Sequence, residues 1–170
     1  MSKISIQHHP DEVFLLDYAS GALGEAWSIA IATHLSLCPD CRRAVAGMES
    51  IGAGLLEALE PVPVSPSGFD SLMARIDGEA PEIDSAEHIV AARPSEYGIP
   101  EPLRSYVENA AGKIEWQRLG RGASQCLIET GQDGATARLL RIPAGKPVPA
   151  HTHRGLEFTL VLSGAFSDTT

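Results

Sequence analysis

Apolar residues recur at two different periods along this chain, and the change of period falls beyond its middle. Residues 10–18 open with proline and two acids and place Val13, Leu16 and Phe14 toward one side, which predicts a first helix. Gly21 and Gly24 break it. Residues 25–37 follow with Ala26, Ile29, Ala30, Thr33 and Leu37 at helical spacing. Residues 39–59 carry a longer stripe of Val45, Met48, Ile51 or Gly52, Leu55 and Leu59. Gly47, Gly52 and Gly54 weaken this third helix by roughly 1 kcal/mol each relative to alanine, and leave room for close packing or bending. Pro61, Pro63 and Pro66 end it. Residues 69–76 then form a short amphipathic helix with Phe69, Leu72, Met73 and Ile76 on one side. Such a stripe on a tethered helix predicts docking, on its own domain or on a partner.

From residue 79 to 102 the chain is rich in Pro, Ala and acids with weak periodicity, as expected of an interdomain linker. After a short helix at 103–109 the period drops to two. Residues 114–119, 124–130 and 135–142 read as strands separated by Gly120-Arg-Gly122 and Gly131-Gln-Asp-Gly134. Residues 156–162 read as a further strand closed by Ser163-Gly164. Repeated short strands with glycine turns predict an antiparallel barrel or sandwich. The expected fold class is therefore α+β in two units: an all-α domain over 1–78, a linker over 79–102 and an all-β domain over 103–170.

Composition excludes more than it selects. With 44% apolar and 21% charged residues the chain is neither disordered nor membranous in character. The apolar run at 26–38 is too short to span a bilayer and residues 1–12 lack a signal-peptide core, so a cytoplasmic protein is expected. The net charge of −9 is concentrated early: residues 1–80 hold four bases against eleven acids, residues 81–170 nine against eleven. Direct nucleic-acid binding needs a basic footprint and is disfavoured. A basic protein partner suits the first segment better.

Candidate chemistry changes the picture. His34-Leu-Ser-Leu-Cys38-Pro-Asp-Cys41 sets three soft ligands in eight residues. His34 and Cys38 stand at i and i+4 on one helical face, and the C-x-x-C gap lets both sulfurs meet one ion. His9 is the best-placed fourth ligand, with His8 the alternative. Three cysteines, two of them in this motif, disfavour a disulfide framework. A thioredoxin-like dithiol would follow a strand, and this one follows a helix. A small helical domain has an evident use for such a staple. Cys126 reads as a core thiol, His88 as a solvated linker residue, and Trp27 and Trp116 as packing residues.

The order His9, then His34-x-x-x-Cys38-x-x-Cys41 across two helices, resembles the zinc-binding anti-sigma domain. The wording of Tyr18-Ala-Ser-Gly-Ala-Leu and Ala32-Thr-His-Leu-Ser-Leu-Cys is similar to the ChrR-type anti-sigma factors. The resemblance implies a three-helix bundle plus a separated fourth helix, wedged between two domains of a group IV, extracytoplasmic-function (ECF) sigma factor in a 1:1 heterodimer. It implies His9, His34, Cys38 and Cys41 as zinc ligands and Phe69, Leu72, Met73 and Ile76 as sigma contacts.

Gly145 to Gly164 resembles the first cupin motif, G-x5-H-x-H-x3-E-x6-G, at every fixed position. Alternation on a strand puts His151 and His153 on one face, and Glu157 from the next strand completes a facial set for Zn or another divalent transition metal. Cupins carry a second motif about thirty residues on. The sequence as given stops at Thr170, so an incomplete barrel and a truncated chain are expected.

The expected function is that of an anti-sigma factor, not an enzyme. It would release its sigma factor on a stress signal, oxidative by resemblance and singlet oxygen in the best-known relatives, sensed through the cupin domain. The competing reading is a cupin metalloenzyme with a helical regulatory extension. A third is that both metals are purely structural. No nucleophile elbow, P-loop or dinucleotide fingerprint is present in the sequence.

Overall fold

The computed structural model describes residues 6–78, 98–109, 111–131, 134–146 and 155–165. Its helices are α1 (Glu12–Ala19), α2 (Glu25–Leu37), α3 (Pro39–Glu57), α4 (Gly68–Asp77) and α5 (Glu101–Val107). Its strands are β1 (Gln117–Gly120), β2 (Ala123–Ile128) and β3 (Ala137–Arg141). This is the expected α+β order: helices first, then an antiparallel sheet in the order β1-β2-β3.

Local chemistry accounts for several element ends. Asp11 caps α1, its carboxylate accepting from the Val13 N–H at 3.0 Å. Cys38 closes α2 and opens α3 at φ −104°, ψ 106°, and Pro39 follows as the first helical residue. A residue before proline is driven out of the helical region, so one extended residue makes the elbow between two helices. In the β1–β2 hairpin Gly120, Arg121 and Gly122 all have positive φ, the conformation two glycines make affordable around a single non-glycine residue.

Two hydrophobic clusters hold the chain together. The first gathers Leu15, Ile31, Leu35, Cys38, Cys41 and Val45 from α1, α2 and α3. The second joins Ile29 of α2 to Ile99, Leu103, Val107, Ile114, Cys126 and Ile128. In β2 the side chains of Cys126 and Ile128 face this second cluster. Opposite them in β3 stand Leu139 and Ala137, while Leu127 points outward.

The structure differs from the sequence pattern in five places. In α1 the covered residue is Leu15, 3% exposed, while Val13 and Leu16 are 61% and 53% exposed. The face that meets α2 and α3 is the one bearing Leu15, Tyr18 and Ala19. In α2, Leu37 is exposed and Ile31 and Leu35 are buried, because this helix is covered on two sides. The α3 stripe is covered only at Val45 and partly at Met48; Ile51, Leu55 and Leu59 are exposed. Residues 156–162 run without a ladder partner among the described residues. Their exposure still alternates, and Phe158 and Leu162 lie against the first and second clusters. Residues 98–102, placed in the linker by composition, include buried Ile99 and the start of α5.

Candidate metal centre

The Cys38 elbow builds the centre. Cys38 ends α2 one turn after His34, its N–H donating to the His34 carbonyl at 2.9 Å, and Cys41 lies in the first turn of α3. Arg42 reinforces the bend by donating from Nη1 to the Leu35 carbonyl at 2.5 Å. His9 arrives from the segment before α1. Its Nδ1 lies 3.3 Å from Cys41 Sγ and 3.4 Å from Cys38 Sγ. His34 Nε2 is 3.3 Å from Cys41 Sγ, and the two imidazoles meet edge to face with centroids 5.9 Å apart.

The four ligand atoms all lie within 4.8 Å of one another. Zinc bonded at about 2.3 Å to sulfur and about 2.0–2.1 Å to nitrogen in a tetrahedron spaces its ligands by roughly 3.4–3.8 Å. The donor set and its spacing therefore fit a tetrahedral N2S2 ion. His34, Cys38 and Cys41 are buried and His9 is exposed. His8 stands outside the group.

Electrostatics point the same way. Burial lowers the pKa of His34, helped by neighbouring His9, so its imidazole is held neutral and able to donate a lone pair. Burial pushes the Cys41 thiol up to about 11, with the Cys38 hydrogen bond and the charges of Cys38 and Asp40 adding to it. A thiolate is costly in this pocket until a cation offsets its charge.

The second expected cluster is described only in part. Glu157 is exposed, and His151 and His153 lie outside the described residues. Gly145 and Gly164, expected as turns bounding the motif, both have positive φ. The α4 stripe is on the surface: Phe69 is 72% exposed, and Leu72, Met73 and Ile76 are exposed with it. Cys126 is buried in β2, where burial first and the charge of Glu115 second raise its pKa. Trp27 stacks on Phe14 with centroids 5.4 Å apart and meets Phe158 at a tilt. Sequence reasoning missed Glu25, whose carboxylate accepts from Tyr106 and from the Gly131 N–H. Its only sequence signal was an acid in a first turn, which is ordinary. Among the described residues no helix is long and apolar enough to cross a membrane.

Comparison with known proteins adds three findings. A family described as the ChrR cupin-like domain matches residues 106–170. The anti-sigma-E factor ChrR of Cereibacter sphaeroides is 41% identical over 167 residues, spanning 98% of this chain and 75% of that protein. The crystal structure of Rhodobacter sphaeroides SigE in complex with the anti-sigma ChrR is similar at TM-score 0.69 and 37% identity. That match covers 89% of this chain and 73% of the other.

Proposed function

The chain belongs to the ChrR family of anti-sigma factors, and from that premise we propose that it binds an ECF sigma factor one to one and blocks its assembly with RNA polymerase core. The observation that carries the reading is the uncovered apolar surface on α3 and α4. Ile51, Leu55 and Leu56 on the last turns of α3 are exposed, as are Leu59, Val62 and Val64 in the connection and Phe69, Leu72 and Ile76 on α4. An apolar stretch of this extent is a docking surface. The relative's solved complex with SigE supports a sigma factor as the occupant. The acid excess of residues 1–80 suits a basic partner surface and speeds encounter more than it adds affinity.

His9, His34, Cys38 and Cys41 hold zinc in this reading. When bound, the ion supplies charge compensation for two thiolates and a covalent tie between the segment before α1 and the α2–α3 elbow. The chain's own residues do the rest. Pro39 sets the turn, Arg42 caps it, and Leu15 and Val45 pack the bundle that holds α3 in place. The mechanism is competition: α3 and α4 cover a sigma surface that polymerase core needs. The C-terminal half, residues 103–170, receives the signal that ends inhibition. His151, His153 and Glu157 form its own divalent-metal site, and the cytoplasm is the place of action.

The test is co-expression of the chain with the group IV sigma factor encoded nearest its gene, followed by affinity purification and metal analysis. A one-to-one complex containing zinc supports the reading, and a folded, metal-loaded chain that captures no sigma factor refutes it.

A further inference from the structure

Helix α2 belongs to both hydrophobic cores. Ile31 and Leu35 are buried with the residues around the metal cluster, whereas Ile29 is 6% exposed among Ile99, Leu103, Val107 and Cys126. Two positions along a helix differ by about 200° around its axis, so Ile29 and Ile31 point to opposite sides and the helix forms a wall shared by the two halves. At its first turn the two oxygens of Glu25 serve the C-terminal half. Oε1 accepts from the Tyr106 hydroxyl at 3.0 Å, and Oε2 from the Gly131 N–H at 2.5 Å. Tyr106 lies on α5 and Gly131 just past β2, so one carboxylate spans two separate elements. No side-chain hydrogen bond caps α2 at Gly24, and Glu25 is the acid of its first turn.

We infer that α2 is the mechanical link between the two halves, with Ile29 as its anchor and Glu25 as a latch holding α5 and the end of β2 in register on the helix that carries His34. The inference rests on the anti-sigma reading only for what the link serves. A change in the C-terminal half reaches the docking face through α2, because His34 sits nine residues, roughly 14 Å, along the same rigid rod. The division of labour follows from exposure. The Ile29 contact is buried and attracts through apolar surface removed from water. The bonds of Glu25 are exposed to solvent, add less energy and more direction, and open first.

Hydrogen exchange on the full chain tests this, with bound metal counted and sigma binding of the unsubstituted chain measured in the same series. Glu25→Ala is expected to raise exchange several-fold across α5 and in the last turn of α2, with helicity and metal content unchanged. Tyr106→Phe has a smaller effect because the Gly131 bond survives, and Glu25→Gln, which keeps one acceptor, restores part of the protection. Unchanged exchange in α5, or a rise in α5 with none in α2, overturns the link. Ile29→Ala tests the anchor; where it fails to fold, the surface variants decide. Failure of the unsubstituted chain to bind sigma refutes the functional reading, while the exchange comparison still judges the link.

Discussion

His9 and Cys41 meet at 3.3 Å across thirty-two residues of chain, and no other ligand contact in the cluster reaches so far. His34, Cys38 and Cys41 are neighbours by virtue of one elbow, but His9 must be carried in by the packing of α1 against α2 and α3. The cluster is therefore both a local motif and a long-range tie.

Loss of that tie lowers stability and function together. His34→Ala or Cys41→Ser is expected to lose stoichiometric zinc and sigma binding, and to lower the melting temperature by about 5–15 °C, taking a loss of about 2–4 kcal/mol. Metal analysis, calorimetry and a pull-down on the same preparations check it. Unchanged inhibition after verified metal loss would sink the mechanism.

Metal affinity depends on pH with a fixed sign. The buried Cys41 thiol, held up to about 11, is fully protonated at neutral pH, so binding an ion there expels its proton. Affinity accordingly falls by at least about tenfold for each pH unit lowered between 8 and 6. Competition with a chromophoric chelator at three pH values measures the slope, and a flat profile contradicts the assignment of Cys41.

Leu55 and Phe69 separate docking from folding. Both are largely exposed, so alanine at either position is expected to change stability by no more than about 0.5 kcal/mol. If each is buried by sigma, the same change removes about 1.5–3 kcal/mol of binding, a loss of roughly 10- to 150-fold in affinity. Denaturant unfolding reads the stability change, and titration calorimetry against the sigma factor reads the affinity. Equal affinities in variant and parent would remove α3 and α4 from the interface.

Cys126 is expected to stay silent to thiol reagents in the folded chain. Burial and Glu115 raise its pKa, which keeps it a protonated core thiol. Labelling should appear only with denaturant, following the unfolding transition. Rapid labelling of Cys126 in native, zinc-loaded protein would show that the second cluster opens.

Some of this was legible along the chain because it is local. The spacing of His34, Cys38 and Cys41, the proline that forces the elbow, the bounds of α2 and the three strands with their glycine turns each depend on residues close in sequence. The face of α1 was not legible. Phe14, Leu15 and Leu16 are adjacent and apolar, and any of them can head the buried stripe until α2 and α3 are in place. The same holds for residues 156–162, whose alternation marks extended chain without saying what pairs with it.

Taken alone, the sequence determined the fold class and set His34, Cys38 and Cys41 together at the elbow, since periodicity, proline and short-range spacing act through backbone geometry, while the family was legible in the likeness of its motifs to those of known anti-sigma factors. Tertiary structure decided which apolar residues are covered. It buried Leu15, divided α2 between two cores through Ile29 and Ile31, turned Glu25 toward Tyr106 and Gly131, and left Leu55 and Phe69 on the surface. The physical reason is that hydrophobicity records only that a side chain is to be covered. What covers it is set by distant parts of the chain, or by another molecule.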